Sequence, residues 1–129
     1  MKSRRENDMK GIDVSKWNGI IDWRKVINDN VDFAIIKAIT KNGIDPLFET
    51  NYANAKAENI PLGVYNYSYA TSLNQARNDA ARLIGCIIGK ELPFKIWLDV
   101  EDDCQKNLGQ KLIDIIKAYK EVIELAGVS

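Results

Sequence analysis

Two hydrophobic patterns alternate along the chain. Short, dense apolar runs such as "DFAIIKAI" (32–39) and "IPLGVYNYSYA" (60–70) have the length and β-branched or aromatic content of buried strands. Between them apolar residues recur at intervals of three and four, the spacing of an amphipathic helix. On this reading "KGIDVS" (10–15) is a short strand. "IDWRKVIND" (21–29) is a short helix with Asp22 as its N-cap. The strand at 32–39 follows, and then "DPLFETNYANAKAEN" (45–59), a helix with Asp45 as N-cap and Pro46 at the first helical position. After the strand at 60–70, "TSLNQARNDAARLIGCII" (71–88) is a helix whose Ser72 and Gln75 have capping-box spacing. "PFKIWLDVE" (93–101) reads as a fourth strand, its "IWL" run buried on both faces. "LGQKLIDIIKAYKEVIELAG" (108–127) reads as a long amphipathic helix that Gly127 ends.

Four β–α units in succession predict parallel strands joined by right-handed crossovers, an α/β fold. A small open sheet and part of a β/α barrel both fit. A complete barrel takes roughly 200 residues or more, and 129 residues supply about half of that architecture. The opening "MKSRREND" is polar and charged, so residues 1–9 are predicted to be a tail or linker and residues 10–129 the domain. Met9 reads as a natural start. No apolar stretch follows the tail, so no secretory signal peptide is expected, and no run approaches a membrane span.

Composition narrows the chemistry. Eighteen basic and eighteen acidic residues cancel, so there is no basic footprint for nucleic acid. The chain has no histidine, which excludes a Ser-His-Asp triad, a Cys-His dyad and an imidazole-based metal site. Cys86 and Cys104 are read as free thiols, wholly or partly buried. Acid–base work must rest on carboxylates, tyrosines or lysines.

The unusual polar residues fall at the predicted strand ends, where parallel α/β folds collect their chemistry. Asp13 lies toward the end of the strand at 10–15. Tyr65, Tyr67 and Tyr69 share one face of the strand at 60–70. Asp99 and Glu101, two apart, share one face of the strand at 93–101, opposite Ile96, Leu98 and Val100. Taken singly, each has a plain explanation: a turn residue, core packing, a solvated acid. Trp97 reads as packing. Their convergence on one rim points to a carbohydrate cleft, with aromatics stacking on sugar faces and carboxylates meeting hydroxyls. An acid-lined metal site for phosphoryl transfer is the competing chemistry.

Four segments carry a resemblance. "GIDVSKWNGIIDW" (11–23), "FAIIKA" (33–38), "DPLFETNYANAKAENIPLGVYNYSYA" (45–70) and "IWLDVED" (96–102), in this order, resemble glycoside hydrolase family 25, the lysozymes or N-acetylmuramidases of phage endolysins and bacterial autolysins. The resemblance implies a partial barrel of that type, and cleavage of the β-1,4 bond between N-acetylmuramic acid and N-acetylglucosamine in peptidoglycan. Carried over by position, it implies Glu101 as general acid. Asp99 would stabilise positive charge at the sugar ring or orient the N-acetyl group, and Asp13 would complete the cluster. Tyr65 and Tyr67 would line the cleft. Lys37 would join the same rim or pair with one of its acids. Such hydrolysis needs one carboxyl protonated and another ionised, and adjacent carboxylates achieve this because like charges oppose ionisation of both. The resemblance implies no metal and no cofactor. Peptidoglycan strands would be the partner, reached after release from the cell or through a holin.

The sequence departs from the family in two places. It stops where the family's fifth strand would begin, so a truncated, unclosed barrel is expected, without a further acidic position that the family carries late. Weak activity, or none in a remnant that only binds sugar, is expected of such a fragment, as is self-association through its open strand edge. Asn66 also stands where many members have histidine or tryptophan.

Overall fold

The structure, a computed structural model, describes residues 2–6 and 9–127, with side chains from Met9 onward. Six strands form one mixed sheet. They are β1 (Lys2–Glu6), β2 (Met9–Val14), β3 (Phe33–Thr40), β4 (Gly43–Ile44), β5 (Leu62–Tyr67) and β6 (Ile96–Asp99). The spatial order is β1-β2-β3-β5-β6, with β4 paired to β3. β2, β3, β5 and β6 are parallel, as the alternating pattern predicts, while β1 and β4 run antiparallel to their neighbours. Four helices connect or follow them: α1 (Trp23–Asn28), α2 (Phe48–Ala57), α3 (Leu73–Ile87) and α4 (Gln110–Leu125). Among the described residues the sheet does not close, and no helix is long and apolar enough to cross a membrane.

The two faces of the sheet do different work. The outer face packs Ile12, Val14, Ala34, Ile36 and Val64 against Trp23 and Val26 of α1, Phe48 and Tyr52 of α2, Leu83 of α3, and Ile115, Tyr119 and Ile123 of α4. Strand alternation sends the other set inward. At the lower end of that inner face Phe33 stacks on Phe94, with ring centroids 4.3 Å apart and planes within 6°. Above this floor stand Asp13, Lys37, Tyr65 and Asp99. Registers align them across the strands: Asp13 is opposite Ile35, Lys37 opposite Tyr65, Tyr65 opposite Trp97, and Tyr67 opposite Asp99.

Several expectations need correction. The segment read as a polar tail contains β1, paired to the outer edge of β2 from Lys2 opposite Asp13 to Glu6 opposite Met9; polar side chains do not prevent a backbone from completing an open ladder. Met1, Asn7 and Asp8 of that segment lie outside the described residues, as do positions 128–129. The strand expected over 93–101 is only four residues long and half-buried, with Trp97 40% exposed. Among the described residues it is the edge of the sheet, paired on one side only, so its apolar run is not enclosed. Ile96 and Leu98 instead share an open apolar groove of about 600 Å³ with Ile116, Tyr119 and Ile123 of α4. The helix expected from Asp45 begins at Phe48, and its cap position, Leu47, makes no side-chain cap bond. Both cysteines are free, but Cys104 is exposed. Asp22 does cap α1, accepting from Lys25 N at 3.2 Å, and Ser72 caps α3, accepting from Gln75 N at 3.2 Å.

Candidate active site

Of the seven residues singled out from the sequence, six border one hollow; the seventh, Tyr69, lines a neighbouring one. Asp13 (β2), Lys37 (β3), Tyr65 and Tyr67 (β5), Asp99 (β6) and Glu101, two residues beyond β6, line a cavity of about 260 Å³. A second hollow of about 190 Å³ continues it toward Trp97 and Ile35, sharing Asp13, Tyr65, Asp99 and Glu101 as walls. Asp13 and Asp99 therefore arrive on two strands separated by β3 and β5, each at an inward position. Glu101 follows Asp99 by one further step of the alternation, just past the end of β6, so that the three acids face a common space.

The backbone beneath the acids is braced by a carboxylate that sequence reasoning assigned elsewhere. Asp45 is buried, and its oxygens accept from Lys16 N at 3.0 Å and Leu47 N at 2.9 Å. It ties the turn after β4 to the short helical turn after β2. That turn, Lys16–Asn18, has a reciprocal cap: Ser15 Oγ accepts from Trp17 N and Asn18 Oδ1 accepts from Ser15 N. The result fixes the loop that carries Trp17, a residue that is 79% exposed and borders the acid hollow.

Electrostatics differentiates the polar groups. Burial pulls the Lys37 ammonium below the ordinary lysine range, while the charges of Asp45 and Asp99 oppose the shift. Its Nζ lies 5.1 Å from the centre of the Tyr67 ring. Burial pushes the Tyr65 hydroxyl well above the ordinary tyrosine range, and the charges of Asp13, Asp99 and Asp45 add to it. Tyr67 is pushed up to about 12 by desolvation and by its bond to Asp102, to whose Oδ1 its hydroxyl donates at 3.2 Å. Asp102 is held below the usual carboxylate range, first by the Cys104 backbone N–H and then by its bonds to the Cys104 and Tyr67 side chains. Both tyrosines thus stay neutral phenols and can donate hydrogen bonds throughout the physiological range.

Two aromatic residues of these hollows were not singled out from the sequence as site residues. Trp97 was read as packing, yet it pairs with Tyr65 and faces the acids. The alternation that joins Asp99 to Glu101 includes it, so the signal was present. Trp17 follows the first strand in a loop, where periodicity assigns no direction. Among the described residues no three acidic or thiol side chains are grouped so as to hold a metal ion.

The profile of Glycosyl hydrolases family 25 matches residues 12–128. The chain belongs to glycosyl hydrolase family 25. The autolytic lysozyme of Clostridium acetobutylicum is 30% identical over 105 residues, which are 79% of this chain and 31% of that protein. The modular autolysin LytC of Streptococcus pneumoniae superposes with a TM-score of 0.83 at 26% identity, over 98% of this chain and 36% of LytC. LytC has also been solved in complex with a synthetic peptidoglycan ligand. The bacterial lysozyme of Streptomyces coelicolor superposes with a TM-score of 0.73 at 27% identity, over 91% of this chain and 58% of that one. This family 25 chain spans about a third of the length of the first two proteins. Its open four-strand parallel sheet corresponds to part of their fold.

Proposed function

We propose that this family 25 chain carries the acid–base side of a peptidoglycan-cleaving lysozyme site. In this reading Glu101 protonates the glycosidic oxygen of the β-1,4 bond between N-acetylmuramic acid and N-acetylglucosamine. Asp99 stabilises the positive charge at the sugar ring or orients the N-acetyl group, and Asp13 completes the cluster. Tyr65 donates to a sugar hydroxyl, Tyr67, whose own proton is held by Asp102, accepts from one, Trp17 and Trp97 offer stacking faces, and Lys37 balances the acids from below. The single observation that carries the reading is the meeting of Asp13, Asp99 and Glu101 around one aromatic-walled hollow at the C-terminal ends of the parallel strands. Support from the relatives lies in their names, which are those of lysozymes and an autolysin, and in the peptidoglycan ligand bound to LytC. The bacterial cell wall is then the place of action.

The hollow has no wall beyond β6 among the described residues. Weak hydrolysis by these 129 residues alone is therefore expected, with glycan binding retained. A turbidity assay on purified Gram-positive walls tests this. Slow clearing that Glu101→Gln abolishes and EDTA leaves intact fits carboxylate catalysis. Clearing that EDTA stops contradicts it and favours a metal-dependent site. Absence of clearing together with binding to the walls fits the second reading, a sugar-binding remnant.

A further inference from the structure

We infer that a second hollow, across Tyr67 from the acid cluster, binds the peptide borne by the glycan strand; this rests on the glycan-cleaving reading above. The hollow encloses about 330 Å³ between the loop after β3 and the start of α3, and its walls include Lys41, Tyr67, Tyr69, Gln75, Asn78 and Arg82. Tyr67 also lines the acid hollow, so the two spaces are separated by one ring. That ring is fixed as a partition. Its hydroxyl is tied to Asp102 at 3.2 Å, and Tyr69 leans on it at 4.9 Å between centroids with a tilt of 44°.

The two sides of the partition have different chemistry. The acid side gathers carboxylates and suits a neutral sugar that becomes positively charged as its bond breaks. The far side gathers mixed polar groups. Gln75, Asn78, Asp79 and Arg82 stand at i, i+3, i+4 and i+7 of α3 and so form one stripe along the helix. The Gln75 amide oxygen is taken by Thr71 N at 2.7 Å and Thr71 Oγ1 at 3.0 Å, which leaves its NH₂ to donate. Lys41 Nζ lies 5.7 Å from the Tyr69 ring centre. Neither Lys41 nor Arg82 joins an ion pair within 4.0 Å among the described residues.

Two cations, one acid, two side-chain amides and an aromatic wall match a peptide, which offers carboxylates, backbone amides and an ammonium together. They do not match N-acetylglucosamine, which offers no charge, and they exceed what peptide-free N-acetylmuramic acid offers, a single lactyl carboxylate. In peptidoglycan the peptide hangs from the lactyl group of N-acetylmuramic acid, the sugar whose bond the acid side is to cut. A strand seated for cleavage therefore brings its peptide to within about one aromatic ring of Lys41 and Arg82.

Calorimetric titration of the full 129-residue chain with two probes tests this. One probe is a peptide-free oligosaccharide of alternating N-acetylglucosamine and N-acetylmuramic acid whose lactyl carboxyls are capped as simple amides, so that it carries no charge. The other is the same oligosaccharide carrying its peptides. The peptide-bearing probe is expected to bind about three- to tenfold more tightly, the scale of two exposed charge contacts. Lys41→Ala with Arg82→Ala should remove that advantage and leave the Kd of the peptide-free probe unchanged; Lys41→Arg should retain it. Equal affinity for the two probes, or an advantage that survives the double substitution, overturns the peptide site and leaves the glycan site standing. Binding of neither probe overturns the glycan site and the peptide site with it.

Discussion

Gly11 lies directly against the ring of Phe33: a Cβ added at Gly11 would come within 2.1 Å of the ring's Cζ. The two residues are register partners in adjacent strands, and Phe33 in turn stacks on Phe94. This close approach forms the apolar floor above which Asp13, Tyr65 and Asp99 stand. Gly11→Ala has to displace a buried ring with stacked neighbours. It should lower the unfolding free energy by about 1–3 kcal/mol, the usual cost of overpacking a filled core. Chemical denaturation of both proteins measures it.

Asp45→Ala should loosen the acid rim without touching the acids. It leaves two partly buried backbone N–H groups, Lys16 N and Leu47 N, without their acceptor. A loss of about 1–2 kcal/mol is expected, since an unpaired buried donor costs on the order of 1–3 kcal/mol and these two are only partly shielded from water. The same substitution removes a charge that holds up the Lys37 ammonium, so Lys37 should titrate still lower. Thermal unfolding reads the first effect, and NMR of the lysine side chains the second.

Much of this was legible in the sequence, and the reasons for the rest are physical. The parallel order of β2, β3, β5 and β6 follows from alternating patterns, and the inward direction of Asp13, Tyr65, Tyr67 and Asp99 from a period of two. Placing Glu101 at the same hollow needed only one further step of that period. What periodicity does not specify is partnership at the sheet's edges. β1 was missed because a polar segment gains its strand from an open ladder rather than from an apolar face. β6 was expected to be enclosed because "IWL" looks the same whether or not a neighbour covers it. Asp45 was misplaced because Asp before Pro fits a helix cap and a buried brace equally well. Asn66 is buried, with neither atom of its amide group hydrogen-bonded, and the structure offers no physical account of that choice.

Stability should fall at alkaline pH. Burial raises the hydroxyls of Tyr65 and Tyr119 above the ordinary value of 10.0, and Tyr67 rises to about 12. Above pH 10 the unfolded chain therefore releases protons that the folded chain keeps, and stability declines as pH rises. Urea midpoints measured on either side of pH 10 should show this decline, and Tyr65→Phe should make it shallower. A midpoint that rises over the same interval would contradict the assignment.

The outer edge of β6 and the groove it forms with α4 should promote self-association. Among the described residues the edge strand is unpaired on that side, and Ile96, Leu98, Ile116 and Ile123 border the groove. Sedimentation should show a concentration-dependent rise in mass. Leu98→Lys, which places a charge in the groove, should reduce it. A monomer at all concentrations would show that the edge is protected in some other way.

The central claim is that Glu101, with Asp99 and Asp13, cleaves the bond on the reducing side of N-acetylmuramic acid. Digesting purified peptidoglycan with a high concentration of the chain, reducing the products with borohydride and identifying the reduced sugar by mass spectrometry tests it most directly. The account predicts reduced N-acetylmuramic acid from the native chain and none from Glu101→Gln. Reduced N-acetylglucosamine, or equal product from Glu101→Gln, would contradict it.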